Sequence, residues 1–335
     1  MAKRNYRKSS KKIQPAELKI GFTVKNTGKN YVDLSQSASL VNRRFYRQGL
    51  NWAVSHFTFY KSTPTETGAV GVTVAKLPTS WVLSNAWEKS FRAWQKMNNE
   101  ALAEAPSVKP NFLDFKIFAN ADHHTLGIGA NVLPTDVQNN TISTGDWESS
   151  KVVVPFGPAS PGNTAEFEFV ALGASYPGIS PASGFNAVSL IEGYAASRGL
   201  PNIVDPNTPA DANDADGSTP ENWMTAMFND GTDQDSEVLS NLITEQDRAP
   251  YPYEGDSVNV DTMYPGGANQ LPDMRVVDAA YFNAGTNANK VTLQGDSFPC
   301  GLIEINNATS ESLVMIIHLV PGTHRGYLAE PMTEM

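Results

Sequence analysis

The chain has 335 residues, enough for one large domain or two ordinary ones. A single cysteine, Cys300, excludes an internal disulfide framework and any cysteine-based zinc cluster, and no run of eighteen apolar residues is present to cross a membrane as a helix, so no membrane partner is expected. The net charge of −10 conceals a strong polarity: residues 1–50 hold twelve of the 25 lysines and arginines against only Glu17 and Asp33, so this stretch carries +10 and the remainder −20. A basic segment on an acidic body points to a nucleic-acid contact or a nuclear-import signal.

Residues 1–16 combine charge, serine and glutamine without apolar periodicity, which predicts a disordered basic arm bearing Lys3, Arg4, Arg7, Lys8, Lys11 and Lys12. The arm has the positive flank of a signal peptide but no apolar segment behind it, so secretion by that route is not expected. Residues 17–335 form the body. Alternating apolar residues, rich in β-branched and aromatic types, predict strands over 18–24, 52–60, 68–77, 112–119, 150–156, 164–172, 289–294, 300–306 and 311–320. Helices are expected over 85–104, where Asn85 stands three residues before Glu88 and Trp87, Phe91, Trp94 and Met97 share a face, and over 186–198, with Asn186 as N-cap. A third is expected over 236–246 from the stripe of Val238, Leu239, Leu242 and Ile243. These helices do not alternate with strands, so they read as insertions in an all-β, antiparallel sandwich. Residues 199–247 hold eleven acids and no lysine or arginine, a composition that repels phosphate and suits an outer surface.

No motif amounts to an enzyme or a cofactor site. In the acidic stretch 211–223, Asp214, Asp216 and Gly217 suit the middle of a calcium-binding loop, but Ala212 and Trp223 occupy the positions that must supply its end ligands. The glycines near Gly21–Lys29 and Gly127–Gly129 lack the spacing of a phosphate cradle. His123 and His124, read as strand neighbours, would point to opposite faces and could not share a metal, and His56 and His318 read as structural. Neither a cofactor nor a metal is therefore expected. Cys300, in an apolar strand, reads as inert core. The segment NRRFYRQG (42–49) is more informative: Arg43, Arg44 and Arg47 can contact phosphate while Phe45 and Tyr46 offer stacking faces for unpaired bases. The competing reading is a buried strand residue flanked by arginines at a subunit contact.

The segments SASLVNRRFYRQGLNWAV (37–54) and LVMIIHLVPGTHRGYLAEPM (313–332), with the layout of basic arm and strand-rich body, resemble capsid proteins of small circular single-stranded DNA viruses that encode a replication initiator. The resemblance implies an eight-stranded, antiparallel, single jelly roll whose copies assemble into a small icosahedral shell. It implies that the chain's partners are itself and a packaged single-stranded genome, DNA in that family, with the arm's six cations inside against it. It places the protein in the virion and, before assembly, in the host nucleus or cytoplasm. The arm here is short and modestly charged for such a protein, and similar jelly rolls serve RNA viruses, so no residue selects the sugar. A carbohydrate-binding β-sandwich module is the alternative, although it leaves the basic arm without a role.

Overall fold

The computed structural model describes residues 15–26, 28–61, 70–103, 113–136, 138, 140–142, 147–155, 164–196, 274–282 and 289–335. The six arm cations, the loop 211–223 and the helix expected over 236–246 lie outside them. In chain order the first elements are β1 (Lys19–Val24), β2 (Gly28–Asp33), α1 (Leu34–Asn42), β3 (Leu50–Tyr60), β4 (Val70–Lys76), α2 (Trp81–Ala103) and α3 (Ala121–Leu126). Then follow β5 (Lys151–Pro155), β6 (Thr164–Val170), β7 (Asn186–Ser189), α4 (Leu190–Ala196), β8 (Arg275–Phe282), β9 (Lys290–Gln294) and β10 (Ser297–Phe298). The last are β11 (Leu302–Asn307), β12 (Leu313–Leu319), β13 (Pro321–Gly322), β14 (Gly326–Tyr327) and β15 (Ala329–Pro331). The protein is mostly β, with antiparallel sheets and few helices.

Two antiparallel sheets form the body. The first runs β1-β12-β3, with β9, β10 and β15 also paired to β3, and the second runs β2-β11-β4-β8. Alternation sets the register, because every second residue must reach the core. Ile20 faces Ile317 and Phe22 faces Met315 across β1 and β12, and Ile317 and Met315 in turn face Phe57 and Phe59 of β3. Val32, Ile303, Ile305, Val72 and Val74 of the second sheet close the same core. Along β12, Leu313, Met315, Ile317 and Leu319 are buried, while Val314, Ile316 and His318 line a half-covered outward face.

Everything between residues 77 and 274 is inserted between two paired neighbours, β4 and β8. Its described part packs α2, α4 and a small sheet, in which β6 pairs antiparallel with β5 and parallel with β7, into a second apolar cluster. Tyr31, Leu77, Cys300 and Leu302 join that cluster from the sandwich side.

Several expectations change. The first helix expected by sequence begins four residues early, at Trp81, because Ser80 rather than Asn85 receives its first amides. Residues 186–189 form a strand, since they pair with β6, and Ser189 starts the helix that follows. Residues 113–119 are extended but make no ladder beyond a bridge from Phe118 to Val170, because their amides bond to side chains, Ile117 to Gln48 and Lys116 to Ser150. His123 and His124 sit on α3, not on a strand. Cys300 is buried as expected but lies in a short 3-10 turn with φ 56°.

Candidate nucleic-acid interface

The arginine cluster owes its position to the two ends of α1. Asp33 caps the helix, its carboxylate accepting from the amides of Ser35 (2.7 Å) and Gln36 (3.2 Å). Arg43 ends it in the left-handed region at φ 54°, which turns the chain sharply into the Phe45–Arg47 segment. Arg43, Arg44 and Arg47 are exposed and Phe45 is half-buried. Tyr46 is buried among Trp52 and Tyr327, with ring centroids 5.8 and 5.5 Å away, so it is a core residue and offers no stacking face.

The same helix end fastens the root of the arm. Arg44 donates to the Pro15 carbonyl (3.0 Å), the Glu17 amide donates to Asn42 Oδ1 (3.0 Å), and the Tyr327 hydroxyl donates to the Glu17 carbonyl (2.7 Å). The arm is thus attached beside Arg43 and Arg44, and two basic clusters that are distant in sequence share one region of the body.

Next to α1 lies an open cleft of ≈ 340 Å³. Ser35, Gln36 and Leu40 form one side, Arg43, Arg44 and Phe45 another, and Lys116 and Trp147 come from the insertion. The Lys116 ammonium stands 5.1 Å from the centre of the Trp147 ring, a cation–π distance. Phe45 and Arg47 separate this cleft from a smaller one of ≈ 160 Å³ that reaches Trp87 and Phe91.

Beneath the cleft the buried polar groups are tightly ordered. Asp33 also accepts from the Trp147 indole N–H (2.9 Å) and from the Gln48 side chain (3.2 Å), so one carboxylate holds α1, the insertion and the start of β3 together. Burial pushes its pKa up, opposed by the Ser35 hydroxyl, the charge of Lys116 and the helix amides. Asp114, which accepts from the Gln48 amide, is pushed up to about 7 by burial, with the charge of Asp33 adding to the rise and Lys116 opposing it.

A second chain of hydrogen bonds has a fixed direction. The Ala119 amide donates to His123 Nδ1 (3.1 Å), so the ring proton resides on Nε2 and is donated to Asn131 Oδ1 (2.7 Å). Asn131 Nδ2 then donates to Gln36 Oε1 (3.2 Å). Burial pulls His123 down to about 4, which keeps it neutral and preserves this polarity near neutral pH. The chain ends at Gln36 Nε2, which is buried without a hydrogen-bond partner among the described residues.

Sequence reasoning found the arginines and Phe45 but missed Gln36, Lys116 and Trp147. For Gln36 a signal existed: it stands three residues after the capping Asp33, the spacing of a capping box. No local pattern marks the other two. The remaining histidines are engaged elsewhere, His124 with buried Glu168 at 2.9 Å and His56 stacked on His318 across two strands at 3.8 Å. Among the described residues no three His, Cys, Asp or Glu gather as metal ligands, and no helix is long and apolar enough to cross a membrane. Comparison with known proteins finds no family model, no curated protein and no solved structure that matches this chain.

Proposed function

We propose that this chain is a viral coat subunit: a single jelly roll that assembles with its own copies into a small icosahedral shell and packages a single-stranded genome. The observation that carries the proposal is the pairing order of the strands. The first pairs with the last, β1 with β12, followed by β2 with β11, β3 with β9 and β4 with β8. Successive pairs fall alternately on the first and second sheets. This is one long antiparallel hairpin of eight strands rolled into two sheets, the arrangement that jelly-roll capsid domains use. The short β5, β6 and β7 belong to the insertion, and β10, β13, β14 and β15 are edge pairings of two or three residues.

Two further features support packaging. The arm is covalently attached beside Arg43 and Arg44, so its six cations and these arginines act as one polycation, and many copies around one polyanion convert a weak contact into a strong one. Lectin modules share the rolled architecture, and a sugar would need exposed rings gathered on one surface. Here Tyr60 and Tyr281, 38% and 68% exposed, lie on different sheets. In this reading the chain does no catalysis, and it resides in the virion after passing through the host nucleus or cytoplasm.

Sedimentation velocity of the purified protein, read together with its absorbance ratio at 260 and 280 nm, tests the proposal. Fast-sedimenting particles carrying nucleic acid are expected. A species that stays monomeric at micromolar concentration across salt and pH would overturn it.

A further inference from the structure

We propose that the cleft beside α1 is a binding site for one unpaired nucleotide, so that the folded body, and not only the basic arm, holds the packaged strand. The inference rests on the packaging reading for its biological ligand, but the cleft's chemistry stands by itself. Three demands meet in it. Arg43, Arg44 and Lys116 bring positive charge to its rim and call for an anion. Leu40, Phe45 and Trp147 supply apolar and aromatic wall, which calls for a flat, weakly polar body. Gln36 supplies a donor with nothing to donate to, and this calls for an acceptor.

The orphan donor is the decisive observation. Gln36 is only 5% exposed, so water does not freely satisfy it, and a buried amide left unpaired is costly. Its orientation is not arbitrary either. The Ala119 amide fixes the His123 tautomer, His123 fixes Asn131, and Asn131 Nδ2 claims Gln36 Oε1. Turning the Gln36 amide over would set two NH2 groups against each other. The fold therefore commits Nε2 to serve as a free donor in a residue that lines the cleft. The other polar groups there are already used: the Ser35 hydroxyl donates to Asp33 and the Ser39 hydroxyl donates to the Ser35 carbonyl.

An anion, a flat ring and an acceptor on that ring's edge together describe a nucleotide. The volume of ≈ 340 Å³ lies at the small end of ligand sites, room for one nucleotide and too little for a base pair. Binding would stack the base against apolar wall, place its phosphate on the arginines, and let Gln36 donate to a base carbonyl or ring nitrogen. Every base carries such an acceptor, so the site tolerates any sequence, as a genome-wide contact must.

The test uses the full chain and an oligothymidylate in which 5-iodouracil replaces thymine, crosslinked by light and mapped by peptide mass spectrometry. Crosslinks at Phe45 or Trp147 are expected, together with binding of thymidine 5′-monophosphate at least tenfold tighter than of inorganic phosphate. Leu40→Trp, which fills the cleft, and Gln36→Glu, which keeps the acceptor for Asn131 but replaces the donor with a negative oxygen, should each weaken the monophosphate at least tenfold. Both should leave the salt-dependent binding of long oligonucleotides by the arm in place. Melting curves establish that each variant is folded, and Arg43→Asn, which removes a charge and tolerates the left-handed backbone, gives a third, surface variant. Crosslinks confined to residues 1–14, or equal affinity for phosphate and nucleotide, would overturn the cleft proposal while leaving packaging standing. A monomer free of nucleic acid that still binds the monophosphate in the cleft would overturn the shell and leave the cleft.

Discussion

The sandwich and the insertion between β4 and β8 are held together by different chemistry. In the sandwich, backbone ladders satisfy the polar groups and the interior is filled by rows such as Phe22, Met315 and Phe59. The insertion also has an apolar cluster, but side chains do the work of ladders there. Gln48 bonds both the amide and the carbonyl of Ile117. Glu168 gathers His124, Ser149 and Ser183. The first arrangement is almost indifferent to pH, because it buries no ionisable group; the second depends on carboxyl groups in defined protonation states. Substitutions in the two regions should therefore differ in kind as well as in size.

The largest loss is expected in the sandwich. Phe57→Ala, at a fully buried site on the central strand β3, should cost about 4 kcal/mol at any pH between 5 and 8, read by urea unfolding. Glu168→Ala comes next at about 3 kcal/mol, because it leaves the buried His124 without its acceptor. Here pH matters. Burial alone would raise the Glu168 carboxyl, but bonds from His124, Ser149 and Ser183 outweigh it and hold the group below its ordinary 4.5. Its stabilisation is then complete above the ordinary value and lost as pH falls through the lower folded value, so Glu168→Gln should flatten the acid limb of the stability curve.

Asp114 has the opposite sign. Its folded value near 7 exceeds the ordinary 3.8, so the native state binds the proton more tightly than the unfolded state, and stability falls as pH rises between these values. Asp114→Asn should consequently gain about 2 kcal/mol at pH 8 and nothing near pH 4, measured by thermal melts across pH. If the gain is the same at both ends, the carboxyl does not titrate in this window. The smallest effect on stability belongs to the arm. Replacing Lys3, Arg4, Arg7, Lys8, Lys11 and Lys12 with alanine should shift the melting midpoint negligibly, yet flatten the dependence of log affinity on log salt by about 0.7 per lost phosphate contact on single strands.

How much of this was legible in the sequence follows the same division. The strands β1, β3 and β12 alternate strictly and were readable from that period alone. The strand β2 was not, because Asn30 points inward and bonds the backbone of Lys25 and Gly28 while Tyr31 faces the insertion, so neither face is uniformly apolar. The strand β8 escaped for the opposite reason: as a sheet edge it leaves Val276 and Tyr281 largely exposed, and its apolar residues do not alternate. Residues 113–119 show what periodicity does report. Leu113, Phe115, Ile117 and Ala119 alternate into the second core on extended backbone, but nothing in their spacing says whether a strand or a glutamine will take their amides. At the candidate interface the arginines and Phe45 are contiguous and could be read. Lys116 and Trp147 arrive from the insertion by tertiary folding, and Gln36 matters only because a relay beginning at Ala119 orients it.

The pairing of β1 with β12 also governs when this protein can fold. A ribosome delivers β1 almost at once, but its only sheet neighbour is complete at residue 319, and the Tyr327 hydroxyl that holds Glu17 comes later still. The nascent chain must therefore carry an unpaired, apolar first strand through nearly the whole of translation, a period of roughly half a minute at ~10 residues per second. The insertion, whose described contacts are largely among its own residues, can collect itself during that wait. The sandwich cannot close until synthesis is all but finished, so a chain stalled short of β12 has no partner for its first strand and is exposed to aggregation and proteolysis instead of assembling.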